Sequence, residues 1–128
     1  MSQANVEIVR RFYESIRRGD NEAALARLAP DVVYTVIQEG RVHGPDGVRA
    51  MWERWESDWD EIGLIVEELI DAGDQVLATV HESGRGRGSG VEVDSRFFNV
   101  FTLREGEVIR KVEFAERSDA LQAAGLGE

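Results

Sequence analysis

The 128-residue sequence contains no cysteine. Disulfide bonds and thiolate metal sites are therefore excluded, and a reducing compartment is compatible with the chain. No apolar run approaches the roughly 20 residues that a membrane-spanning helix needs, and the N-terminus lacks the charged-then-apolar pattern of a signal peptide. We therefore expect a cytoplasmic protein with no membrane partner.

Positive charge is also scarce, because 15 Lys and Arg residues stand against 25 Asp and Glu residues and leave a formal net charge of -10. Nucleic-acid binding needs clustered Lys and Arg, so this balance argues against a nucleic-acid partner. The acidic residues between positions 53 and 61 show no spacing that would converge on an ion. The glycine-rich stretch 83–90 lacks the features of a phosphate-binding loop. We therefore expect no metal and no cofactor.

The length indicates one domain covering residues 1–128, large enough for a core and a small cavity. Periodicity predicts three helices that come mainly first, then four or five antiparallel strands and a short final helix. This order is typical of an α+β fold with helices on one face of a curved sheet. In the third helix, an apolar stripe that indicates a buried face is formed by Val48, Trp52, Trp55 and Trp59.

Two predicted strands joined by a tight turn dominate the last third of the chain. Residues 91–103 and 108–114 are rich in Val, Phe and Thr, and Glu105-Gly106 between them suits a two-residue hairpin turn. Pairing outward from that turn places Val100 opposite Lys111 and Phe98 opposite Glu113. One face of this hairpin is therefore predicted to carry Arg96, Phe98, Val100, Lys111 and Glu113. A carboxylate beside two cations and an aromatic ring is a candidate cluster for acid-base chemistry.

Each candidate residue also has a purely structural interpretation. Glu113 could act as a general acid or base in an apolar cavity, or it could form a surface ion pair, because the other side of its strand is more apolar. His81 could shuttle protons or have a structural role at a strand end. Tyr13 lies on an apolar helix face, where it belongs to the core but could offer its hydroxyl group to a ligand. The tryptophan stripe could line a pocket, form core, or do both.

Four stretches of the sequence carry a family resemblance. They are VRRFYESIRRGDNEAALARLAPDV, HGPDGVRAMWERW, DAGDQV, and FTLREGEVIRKVEF followed by SDALQAAGL. In this order they resemble the nuclear transport factor 2-like superfamily and, within it, the SnoaL-like domains of bacteria. The resemblance implies a cone-shaped curved antiparallel sheet wrapped around a pocket, with three N-terminal helices and a short C-terminal helix. It also implies a homodimer formed through the outer face of the sheet.

The superfamily hosts isomerases, cyclases, dehydratases, epoxide hydrolases and binding modules, so the fold alone does not fix the activity. The resemblance places the tyrosine of ketosteroid isomerases at Phe12, their base at Val36 and their hairpin acid at Phe98, and all three are replaced here. The late acid of limonene epoxide hydrolases matches Glu113, but their earlier Arg-x-Asp pair has no match. For a polyketide cyclase, Glu113 is again the candidate carboxylate.

Two functions from different classes remain open. The first is a cofactor-free acid-base enzyme of isomerase, cyclase or hydrolase type that acts on a small apolar organic molecule. Its predicted catalytic residues are Glu113 as base or water activator, Arg96 or Lys111 as stabilisers of negative charge, and His81 as an assisting group. Its predicted ligand-binding residues are Tyr13, Phe12, Met51, Trp52, Trp55 and Phe98. The second function is a non-catalytic small-ligand-binding or dimerisation module, and a homodimer is predicted in both cases.

Overall fold

The computed structural model describes residues 3–127. This part contains four helices, α1 (Gln3–Arg17), α2 (Asn21–Leu25), α3 (Gly44–Asp58) and α4 (Arg117–Ala123). Its six strands are β1 (Leu28–Val36), β2 (Gly40–His43), β3 (Trp59–Ala72), β4 (Gln75–Gly86), β5 (Glu92–Arg104) and β6 (Glu107–Phe114). None of the helices in this range is long and apolar enough to cross a membrane.

The six strands form one curved, open sheet in the order β2-β1-β6-β5-β4-β3. Neighbouring strands are antiparallel except β1 and β6, which are parallel. The expected α+β cone with three N-terminal helices and a short C-terminal helix is confirmed, but its sheet is mixed rather than antiparallel. No hairpin joins β1 to β6, so the packing of the whole domain sets their relative direction.

The main core lies between the sheet and helices α1 and α3. Val9 and Phe12 of α1, and Val48 and Met51 of α3, are fully buried. The spacing of three residues within each pair puts both members on one side of their helix. We call the sheet face that packs against α1 and α3 the inner face. From the strands, this core receives Val32, Tyr34, Val36, Val76, Ala78, Val80, Phe101, Leu103 and Val108, among others.

Helix α4 covers a second and smaller apolar cluster on the opposite face of the sheet, which we call the outer face. The cluster consists of Leu77, Val100, Ala120 and Ala124, with Phe98 and Phe114 packed against it. Strand β4 is therefore buried on both faces along residues 76–80. This burial explains why that stretch reads as an almost continuous apolar run instead of an alternating one.

A β-bulge in β6 sets the register of the hairpin formed by β5 and β6. The predicted turn is present, with Arg104 opposite Glu107 and positive φ angles of 52° at Glu105 and 82° at Gly106. Leu103 then pairs with Val108, but the next residue of β5, Thr102, pairs with Arg110. The strand β6 thus contributes one extra residue, Ile109, which has no partner on β5.

The bulge makes the predicted pairing beyond it wrong by one residue. Val100 pairs with Val112 instead of Lys111, and Phe98 pairs with Phe114 instead of Glu113. Because side chains alternate between the two faces, a shift of one residue moves every side chain of one strand to the other face relative to its partner. The predicted five-residue cluster is therefore divided between the two faces of the sheet.

Candidate functional site

Lys111 lies in the middle of the inner face, where the register places it opposite Phe101 on β5 and beside Tyr34 on β1. Only 3% of its surface is exposed. Its Nζ atom lies 4.3 Å from the centroid of the Tyr34 ring, within the range of a cation-π contact. Burial lowers the pKa of this ammonium group to about 8, although the negative charges of Glu113 and Glu82 act in the opposite direction. The inner face therefore holds an amine that titrates near neutral pH.

Two half-buried carboxylates, Glu113 and Glu82, stand near this amine. The Oε1 atom of Glu113 accepts a hydrogen bond from the backbone N–H of Ile37 at 3.0 Å, which fixes the orientation of the carboxylate. Burial is the main cause that raises the pKa of Glu82, and the charge of Glu113 raises it further, whereas Lys111 lowers it. The two carboxyl groups thus occupy different environments, an arrangement that suits one acid and one base.

A buried hydrogen bond joins helix α1 to β5 on the same face. The Nδ2 atom of Asn99 donates to the hydroxyl oxygen of Tyr13 at 2.9 Å. The pKa of Tyr13 lies well above its ordinary value, chiefly because of burial, and burial also raises the pKa of Tyr34. Both phenols therefore stay neutral at physiological pH. The Oδ1 atom of Asn99 is buried without a hydrogen-bond partner among the described residues, so it remains available to a donor group.

Among the residues predicted to bind a ligand, Phe12, Met51 and Trp52 lie in the apolar core beneath the inner face. The Phe12 ring lies 6.0 Å from Trp52, and Tyr34 lies 6.4 Å from Trp52, measured between ring centroids. Met51 is also fully buried in this group. Trp55 is half-buried, and its Nε1 atom donates to a carboxylate of Glu39 at 3.3 Å. Phe12, Met51 and Trp52 are therefore packed core residues, whereas Trp55 lies nearer the surface.

The structure places three of the predicted site residues on the outer face. Arg96 pairs with His81 across β4 and β5, on the side opposite Lys111. The guanidinium group of Arg96 binds Glu67 at 2.5 and 3.1 Å, and the Nε2 atom of His81 lies 2.5 Å from a carboxylate oxygen of Asp94. Phe98 packs in the cluster beneath α4. The prediction that Arg96 and Phe98 share a face with Glu113 is wrong, because it ignored the bulge.

Sequence reasoning missed three residues of the inner face. Glu82 follows Val76, Ala78 and Val80 at a spacing of two, and this alternation could have placed it on the inner face. Tyr34 lies between the buried residues Val32 and Val36 in the same way. Asn99 could be found only with the bulge known, since the predicted register assigned the inward position to its neighbour.

A cleft of about 300 Å³ adjoins this site between α1 and β3. Tyr13 lines it on the helix side, and Val66 and Leu69 line it on the sheet side. A second cleft of about 470 Å³ lies near α2 and the start of α3. The lining of each cleft contains neither Lys111 nor either of the two site carboxylates. The first cleft therefore brings solvent close to the buried Tyr13-Asn99 pair.

Solved structures similar to this chain share its fold. A nuclear transport factor 2-like protein from Burkholderia thailandensis E264 is 26% identical, with a TM-score of 0.81 over 94% of this chain and 95% of that chain. TerC, co-crystallised with polyporic acid, is 19% identical, with a TM-score of 0.77 over 95% of this chain and 98% of that chain. A protein with a ketosteroid isomerase-like fold from Catenulispora acidiphila DSM 44928, in complex with trimethylamine, is 18% identical, with a TM-score of 0.67 over 81% of each chain.

The sequence comparison agrees with the structural one. No protein of curated function matches the sequence. The SnoaL-like domain family matches residues 9–111, which include α1 from Val9 onward, all of α3 and the sheet up to Lys111. Because this match covers about four-fifths of the chain, the protein belongs to the SnoaL-like domain family.

Proposed function

We propose that the inner face binds a small, largely apolar organic molecule and transfers a proton on it without a cofactor. The observation that carries this proposal is the buried amine of Lys111 with two half-buried carboxylates, Glu82 and Glu113, in a largely apolar interior. Burying an ionisable group costs folding free energy. A cluster of such groups in a protein interior is therefore typical of an acid-base site.

The roles follow from the two environments of the carboxyl groups. Glu113 is the base, because the amide of Ile37 holds its carboxylate in a fixed orientation. Glu82 is the acid, because burial and the neighbouring negative charge favour its protonated form. Lys111 stabilises the negative charge that develops on the substrate as the proton leaves. Arg96 and His81 are left out of this proposal, since they lie on the outer face.

The surroundings support an apolar ligand. Tyr34, Trp52 and Phe97 supply aromatic surface on the inner face, and Phe97 is only partly buried. Two similar folds hold small organic molecules, polyporic acid in TerC and trimethylamine in the Catenulispora protein. These ligands differ widely in charge and shape, so they support the use of this fold for small molecules but not a particular substrate.

A non-catalytic binding module is the second candidate. It is favoured by the close packing of Phe12 and Met51, which are fully buried and leave less room for a substrate. In that case the charges of Lys111, Glu82 and Glu113 would only compensate one another. The homodimer and the cytoplasmic location expected earlier stay predictions, and sedimentation at micromolar concentration would test the dimer.

The replacement Glu113→Gln tests the enzymatic proposal. Ligands are first identified by thermal-shift screening of small ketones and aldehydes, and the exchange of their carbon-bound protons is then followed by NMR in D₂O. We expect Glu113→Gln to lower the exchange rate at least about 100-fold, the usual contribution of a positioned base, while ligand affinity stays similar. Glu92→Gln, which removes an exposed carboxylate at the start of β5, is the matched control and should exchange normally.

The outcomes of this experiment separate the two candidate functions. Binding without any exchange by the unaltered protein would favour the non-catalytic module. Exchange that persists at full rate in Glu113→Gln would remove Glu113 from the mechanism. A melting temperature close to that of the unaltered protein is required of each variant, so that lost activity is not caused by unfolding.

A further inference from the structure

The chain uses almost no lysine. Fourteen of its fifteen cationic side chains are arginine, and Lys111 is the only lysine in the sequence. This residue is also buried at the centre of the inner face, whereas nearly all the arginines are exposed or partly exposed. An arginine stays charged at any physiological pH, but a lysine can lose its proton when it is buried. The one position with lysine is thus the one where a neutral amine can form.

We propose that Lys111 is a nucleophilic amine that forms an imine with an aldehyde or ketone group of the substrate. This inference rests on the proton-transfer function proposed for the same site, and it names the class of substrate. The site brings together a buried primary amine, two partly exposed carboxyl groups near it, and an aromatic ring against which the amine packs. These are the parts that imine formation needs.

The charges around Lys111 allow it to react at neutral pH. Burial lowers its pKa to about 8, so about a quarter of the amine is neutral near pH 7.5, against about a thousandth for an ordinary lysine. The ionisable groups near it are Glu113 on its own strand, Glu82 on β4 and Tyr34 on β1. The Tyr34 phenol is neutral, so the two carboxyl groups are the ones that can exchange protons with the amine.

The step balances without any further reactant. The nitrogen lone pair of Lys111 attacks the carbonyl carbon, and the carbonyl oxygen takes a proton from the carboxylic acid of Glu82. The resulting carbinolamine nitrogen gives its surplus proton back to the Glu82 carboxylate. Glu82 then returns a proton to the hydroxyl group, which leaves as water while the carbon-nitrogen double bond forms. The product is a protonated imine whose positive charge lies near the carboxylate of Glu113.

The protonated imine would serve the proton transfer proposed above. Its positive nitrogen withdraws electrons through the imine carbon and makes the next carbon more acidic, so that Glu113 can remove a proton from that next carbon and leave an enamine. Reversal of the same steps releases the product and restores the amine. The electron pair left by the departing proton is therefore delocalised onto the imine nitrogen of Lys111. In this scheme no separate ammonium group is needed to stabilise a negative charge on the substrate.

Reductive trapping with benzaldehyde and sodium cyanoborohydride tests this inference. Benzaldehyde carries no hydrogen on the carbon next to its carbonyl group, so labelling reports imine formation alone. With a single lysine in the chain, peptide mass spectrometry assigns any benzyl group at residue 111 unambiguously. We expect labelling of Lys111 near pH 7.5 to be at least ten times faster than that of Nα-acetyllysine amide in the same tube. The ratio of neutral amine fractions alone allows about 200-fold.

Two variants complete the test. Lys111→Arg keeps the positive charge but removes the amine, and it should show no adduct at residue 111. Glu82→Gln removes the proton donor, and it should slow labelling about tenfold or more. No adduct on the unaltered protein, or labelling no faster than that of the reference amine, would overturn the inference.

The test also separates this inference from the proton-transfer proposal. Labelling of Lys111 that persists in Glu113→Gln, together with lost proton exchange, supports both. Normal proton exchange in Lys111→Arg overturns the imine and leaves the proton transfer by Glu113 intact.

Discussion

Replacing Lys111 by methionine is expected to change how the stability of the protein depends on pH. Methionine is similar in length and carries no charge, so the replacement removes the ionisable group with little change in packing. In the folded protein, burial lowers the pKa of Lys111 from its ordinary value of 10.5 to about 8. The unfolded chain therefore binds this proton more tightly than the folded protein does. Burial of the charged amine therefore destabilises the folded protein. This destabilisation is complete below about pH 8 and disappears as the pH rises to about 10.5.

The magnitude follows from the two pKa values. Their difference corresponds to about 3 kcal/mol of unfolding free energy at about pH 7. Linkage then predicts that the unaltered protein recovers about 1 kcal/mol by about pH 9 and about 2.5 kcal/mol by about pH 10, relative to Lys111→Met. Tyr13 and Tyr34 are present in both proteins, so their own titration largely cancels in the difference.

Urea unfolding of both proteins, followed by tryptophan fluorescence between about pH 7 and pH 10, measures this difference. The chain has three tryptophans, so the signal is strong, and similar m-values would show that the two transitions are comparable. Lys111→Met should be the more stable protein near neutral pH, with an advantage that shrinks as the pH rises. Two curves that remain parallel within about 0.5 kcal/mol over this range would refute the argument, because Lys111 would then titrate as an exposed lysine.

Two further replacements test the register of the hairpin and its turn. Arg96→Ala should leave ligand binding, proton exchange and the melting temperature nearly unchanged, because its exposed ion pair with Glu67 lies on the outer face; a loss of exchange would restore Arg96 to the site. Glu105→Asn should raise the unfolding free energy by about 0.5 to 1 kcal/mol, because asparagine tolerates the φ of 52° at this turn position better than glutamate does. Chemical denaturation would detect that gain, and an unchanged or lower midpoint would contradict it.

Much of the architecture follows from local patterns in the sequence. The apolar positions of α1 and α3 recur at helical spacing, and the buried residues Val9, Phe12, Val48 and Met51 are the result. Glycine after a turn-forming residue predicts the hairpin at Gly106, and the pairing nearest that turn is confirmed. The family resemblance added the cone shape and the order of its parts, which local patterns do not contain.

The candidate site was predictable only in part. Lys111 and Glu113 lie two residues apart on one strand, so any register keeps them on the same face. Which residues of β5 join them depends on the bulge at Ile109, and this isoleucine looks like any other strand residue in the sequence. His81 drew attention because histidine is the residue type that most often serves as a proton shuttle, whereas Glu82 beside it is the residue that reaches the inner face.

The sequence by itself determined the helices, the strands, the turn at Gly106 and the alternation that keeps Lys111 with Glu113. These depend on interactions between residues close together in the chain. Only the tertiary structure decided that β1 lies parallel to β6, that β6 carries a bulge, that Glu82 and Tyr34 lie near Lys111, and that Asn99 pairs with Glu113. Such contacts join strands far apart in sequence, and the packing of the helices against the inner face selects among registers that local preferences leave equally favourable.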